Sequence, residues 1–139
     1  CCVRTLGVGA RSGKPMQPNE SDPKKERARF WKTVRLLRVF AAPSDKRAVR
    51  VRITNAVPSD TLGDCTQRKD YYLIRLSKEI IENSPDVSYL ILAHEWAHTL
   101  VWDNCTQDHG DGWGMALAKC WRVISGEISM GDLENVNLD

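Results

Sequence analysis

Apolar and polar positions along the 139-residue chain change period several times, and each change marks an element. Residues 1–21 hold three of the nine glycines and two of the six prolines with little periodicity, and they read as a flexible N-terminal tail. Asp22-Pro23 then supplies an N-cap and a proline suited to the first helical position. Phe30, Val34, Leu37 and Ala41 follow at three- and four-residue steps, so a helix is expected from Pro23 to Ala41, stopped by Pro43. Lys24, Lys25, Arg27, Lys32, Arg35 and Arg38 fall mainly on its other face.

The period shortens to two in Ala48-Val49-Arg50-Val51-Arg52-Ile53, the pattern of a half-exposed strand. Tyr71 to Leu76 is a second, more apolar strand, and Thr61 to Gln67 a further candidate between Pro58 and the next turn. Ser84-Pro85-Asp86 caps another helix, whose segment Val87 to Trp102 is apolar except at Ser88, His94, Glu95, His98 and Thr99. Such a helix is buried almost all round. A last helix is expected from Asp111 to Ser125, with Gly126 at its C-cap. The elements define an α+β domain over 22–139, with a small mixed or antiparallel sheet packed against the buried helix.

Composition narrows the class. With 42% hydrophobic and 27% charged residues, the chain is an ordinary globular one, able to build a core without disulfide staples. No window approaches ~18 uninterrupted apolar residues, and no long apolar run follows Cys1, so membrane insertion and secretion are not expected. An intracellular monomer, cytoplasmic or nuclear, is the expectation. The first residue is Cys1 rather than Met, as in a processed fragment. Five cysteines, odd in number and without a CxxC pair, argue against a disulfide framework and a four-cysteine zinc ribbon.

Net charge of +2 conceals an asymmetry. Residues 1–55 carry 14 Lys/Arg against 4 Asp/Glu, a net of +10, and residues 56–139 carry 6 against 14, a net of −8. The first reading of the basic half is a solvated helix face that balances an acidic neighbour; contact with nucleic acid is the second. The acidic half favours a cation.

His94-Glu95-Trp96-Ala97-His98 places two imidazoles one helical turn apart on one face, where both can reach a zinc ion at about 2.0–2.1 Å. Glu95 is rotated about 100° from His94, towards the open position of such a metal, where its carboxylate can take a proton from bound water. Two histidines and a glutamate in so apolar a helix need a partner, because unpaired burial is costly. A catalytic zinc has three protein ligands plus water, and only one further histidine exists, His109 in the turn-rich run Asp108-His109-Gly110-Asp111-Gly112-Trp113. His109 is therefore the expected third ligand, with Asp108, Asp111 and Glu127 as alternatives. Glu127 is the strongest of these, since some zinc hydrolases take a glutamate from a later helix.

Val101 and Asn104 stand where the metzincin pattern HExxHxxGxxH requires Gly and His, which excludes that group. HExxH followed after a short loop by His-Gly-x-x-Trp resembles the SprT-like family of zinc metalloproteases, which includes the Spartan-type protease domains. The likeness extends from about Pro23 to Gly126. It implies a zincin-like α+β fold, zinc held by His94, His98 and His109, Glu95 as catalytic base, and cleavage of proteins, some of them DNA-associated. Many members also carry a C-terminal zinc ribbon built on cysteine pairs, and no such pair occurs in these 139 residues.

Smaller features have plainer readings. Trp96, Trp102, Trp113 and Trp121 are expected in core packing, and Cys105 and Cys120 as ordinary buried or loop thiols. Alternation lets only one of Tyr71 and Tyr72 face inward, where it is a candidate oxyanion stabiliser. The reading is a Zn2+-dependent peptidase acting on a protein or peptide substrate aligned by β-addition, with nucleic acid as a possible further partner. The rival is a DNA-associated binding module whose three-histidine zinc is structural or regulatory.

Overall fold

The computed structural model describes residues 2–4, 22–57, 60–103 and 108–126. The elements run β1 (Cys2–Arg4), α1 (Pro23–Phe40), β2 (Ala48–Thr54), β3 (Thr61–Gln67), β4 (Tyr71–Ser77), α2 (Lys78–Asn83), α3 (Pro85–Leu100) and α4 (Asp111–Ile124). Asp22 caps α1, its Oδ1 accepting from the Lys24 N–H at 3.0 Å, and Pro23 fills the first turn. Phe30, Val34, Leu37 and Ala41 are all buried, and Lys24, Lys25, Arg27, Lys32, Arg35 and Arg38 are exposed, as the periodicity requires. Ser125 takes the C-cap of α4 and Gly126 follows it at φ +86°, a left-handed turn that glycine adopts without a Cβ penalty.

Four strands form one mixed sheet in the order β1-β3-β4-β2. The chain leaves β2, passes the place β4 will take, forms β3, and returns through a short hairpin closed by the Arg68 N–H on the Tyr71 carbonyl at 2.8 Å. β4 thus lies antiparallel to β3 and parallel to β2. Two corrections to the sequence reading arise here. Residues 2–4, placed in a flexible tail, instead pair antiparallel with β3 through Cys2↔Asp64, Val3↔Gly63 and Arg4↔Thr61, while the rest of 1–21 lies outside the described residues. A three-residue strand is too short to show a period, and its partner edge is created only by the tertiary fold. Helix α2 went unread because six residues give less than two turns of pattern.

Register divides the sheet into two faces. Val49, Cys65, Tyr72, Ile74 and Leu76 are buried on the side that receives the helices. Arg50, Arg52, Tyr71, Leu73 and Arg75 alternate onto the other, where the Arg50 guanidinium stands 4.1 Å from the Tyr71 ring centre. Arg75 also holds the buried Asp64 of its neighbouring strand by a two-pronged ion pair, with Nε to Oδ1 at 2.8 Å.

Helix α3 fills the centre, against the inner face of the sheet on one side and α4 on the other. Trp96, inside the HExxH run, has no exposed surface and donates its indole N–H to the Ala41 carbonyl at the end of α1 at 2.7 Å. Gly63 permits the closest approach of sheet and helix. A Cβ there would lie 2.7 Å from Ile91 Cγ2 and 3.0 Å from the Arg75 carbonyl oxygen. Gly63→Ala is therefore expected to cost about 1–3 kcal/mol by forcing α3 off the sheet. Gly114 lies mid-helix in α4 with nothing within 4 Å of an added Cβ, and Gly114→Ala is expected to gain about 0.5–1 kcal/mol. Urea midpoints of the two variants should move in opposite directions from the parent.

Candidate metal centre

His94 and His98 project from one face of α3, and the turn after that helix brings His109 back to them. His94 Nε2 lies 3.3 Å from His98 Nε2 and 3.0 Å from His109 Nε2, and one ligand nitrogen from each of the three residues falls within 4.8 Å of the other two. Ligands placed tetrahedrally 2.0–2.1 Å from zinc stand roughly 3.3–3.4 Å apart, so this spacing fits a metal ion of that size. The donor chemistry agrees. One proton serves one pair of imidazole nitrogens, whereas a cation satisfies three converging lone pairs together. Among the described residues the group has three members.

The turn that delivers His109 is strained. His109 has φ 60°, a left-handed conformation that costs a residue with a Cβ about 1 kcal/mol and is tolerated where function holds it. Gly110 then caps α4, and Trp113 in its first turn closes over the cluster. The Trp113 ring centre is 4.9 Å from His94, 5.7 Å from His98 and 4.6 Å from His109, and its N–H reaches the His94 carbonyl at 3.4 Å. The indole is thus a wall of the site as well as part of the core. The Asp108 carboxylate faces the far nitrogens of two rings, 4.0 Å from His98 Nδ1 and 3.7 Å from His109 Nδ1. Its negative charge favours presenting the Nε2 lone pairs to a metal.

Glu95 is 0% exposed and turned into the interior, where its charge acts on the Cys65 thiol of β3. Burial first, and Glu95 second, push that thiol far above its usual range, so Cys65 is an inert hydrophobe. Cys120 is buried in α4 with its thiol raised to about 12, again by burial, and stands outside the histidine group. Cys105 and Glu127 lie outside the described residues, and Asp111 is exposed at the start of α4. Of the two tyrosines it is Tyr72 that faces inward. Its hydroxyl donates to Asp45 Oδ2 at 2.6 Å, which ties β4 to the turn before β2 and gives it a structural task. Trp102 packs on Tyr72 with ring centres 5.6 Å apart. Trp121 corrects the core expectation: it is 41% exposed, because the 3.6-residue period turns it away from buried Ala116, Cys120 and Val123.

Fold and site together define an α+β domain in which two histidines of the central helix and one from the turn before α4 form a cluster that fits a zincin-like site. The model of the SprT-like family matches residues 32–131, and the chain belongs to that family. No curated protein and no solved structure matches it. None of the helices is long and apolar enough to cross a membrane among the described residues.

Burial lowers the pKa of His94 from 6.5 to about 4, with nearby His109 adding to the effect. Burial does the same to His98, with His94 and His109 adding to it, again to about 4. Both rings are therefore neutral, as ligands must be, at any pH above about 5. In the metal-free protein the unfolded chain binds protons below 6.5 that the folded chain refuses until about 4. Stability from these groups is complete above pH 6.5 and is lost progressively down to pH 4. Thermal unfolding of the chelated protein should show its midpoint falling across that window, and His98→Gln should flatten the fall.

Proposed function

We propose that the protein is a zinc-dependent peptidase that hydrolyses peptide bonds with Glu95 as general base. The observation that carries this reading is the convergence within 4.8 Å of nitrogens from His94 and His98 on the buried helix and His109 from the turn before α4, with the fully buried Glu95 next to the first ligand. His94, His98 and His109 would hold a zinc ion, which when bound would acidify a water and polarise the scissile carbonyl. The chain's own residues do the rest. The half-buried His94, the buried His98 and the left-handed His109 turn fix the ligand set. Trp113 packs against all three rings. The Glu95 carboxylate removes a proton from the attacking water and passes it to the leaving amine.

A structural zinc site has a fourth protein ligand and no use for an adjacent buried carboxylate. Among the described residues the group has three members, and the residue next to the first ligand is a fully buried carboxylate; both support the catalytic reading over a binding module. An extended protein segment is the proposed substrate, held by main-chain pairing with a strand of the sheet.

The test separates metal binding from chemistry. Glu95→Gln should retain one zinc per chain by elemental analysis and lose about 10²–10⁴-fold in kcat/KM on dye-labelled denatured casein. His94→Ala, His98→Ala and His109→Ala should each lose the zinc itself. Full zinc with undiminished cleavage in Glu95→Gln would overturn the assignment of the base.

A further inference from the structure

Strand addition needs a free sheet edge beside the site, and this sheet has two outer edges, those of β1 and β2. β2 is two strands removed from β3, the strand that lies most closely along α3. Gly63 of β3 meets Ile91, and Cys65, two residues on, feels the charge of Glu95. β3 and α3 therefore run side by side, with Cys65 beside the residue that follows His94. The outer edge of β3 is the sheet edge that flanks this helix, and it is occupied by Cys2–Arg4 in the antiparallel sense.

We infer that β1 is a displaceable occupant of the substrate's place: residues 2–4 cap the β3 edge in cis, and an extended peptide docks there only when they leave. The inference rests on the peptidase reading in so far as that peptide is a substrate. The hold is weak by construction. β1 has three residues, and its pairing is broken by a bulge between Val3 and Arg4, opposite Gly63 and Thr61. A few backbone hydrogen bonds, each with a small net contribution, close the edge against unwanted strand pairing and still yield to a longer ligand. Apparent affinity for a peptide then equals the affinity of the open edge multiplied by the fraction of molecules in which β1 has left.

Val3→Pro disfavours the pairing of β1 with β3, because the proline ring crowds the residue before it and is poorly accommodated within a paired strand. The measurement uses the zinc-loaded full chain carrying Glu95→Gln, so that binding is read without turnover, and a fluorescein-labelled casein peptide followed by anisotropy. Adding Val3→Pro should tighten binding by about fivefold or more, and should not do so for the same peptide N-methylated on alternate amides. Hydrogen exchange supplies a second arm that needs no β1 variant: saturating peptide should expose the amides of residues 2–4 and leave those of 62–65 protected. Equal affinity with and without Val3→Pro, an equal gain by the N-methylated peptide, or residues 2–4 still protected in the complex would overturn the inference. Failure of the peptidase reading shows separately, as a zinc-loaded parent protein that cleaves nothing.

Discussion

Everything in this domain is arranged around the burial of α3. A helix carrying two histidines and a glutamate is an expensive thing to place at the centre of a core, because each polar side chain gives up its water. The cost is met by apolar contact on the remaining faces: Ile91, Leu92, Ala93, Trp96 and Ala97 are buried beside the polar residues. Close packing is what makes those contacts count, and Gly63 allows it on the sheet side. Trp96 fixes the helix from the other side through its bond to Ala41. The same packing that hides the polar residues also stops them from moving, which is the condition for a fixed ligand set.

Much of this was legible from residue pattern. The helices α1, α3 and α4 announce themselves by caps, by a 3.6-residue apolar stripe or by a continuous apolar run, and β2 and β4 by alternation or a compact apolar segment. The HExxH spacing fixes two histidines on one face whatever the rest of the chain does. Strand order is a different matter. Nothing local in 48–77 tells that β4 inserts between β2 and β3, because that choice is made by which faces the helices cover. The pairing of residues 2–4 is less legible still, since it depends on an edge that exists only in the assembled sheet.

Trp113 and Trp121 show why residue type alone misleads. Both are tryptophans on α4, eight residues apart, and an 800° rotation separates them by about 80° around the helix axis. That angle leaves one ring over the histidines and the other in solvent. Residue type alone does not decide which: that depends on the face by which α4 packs against α3, which the tertiary fold sets.

Two opposed effects set the charge of the cluster. Burial lowers the affinity of His94 and His98 for a proton, and Asp108 raises it. The outcome, about 4 for both, shows that desolvation prevails over a carboxylate about 4 Å from the nearest ring, which is reasonable for a side chain itself 68% exposed and screened by water. Rings that stay neutral above about pH 5 are in the form a metal ion requires, and three nitrogens at this spacing could hold one. The basic residues of α1 are exposed on its outer face, opposite the buried stripe that carries the helix into the core.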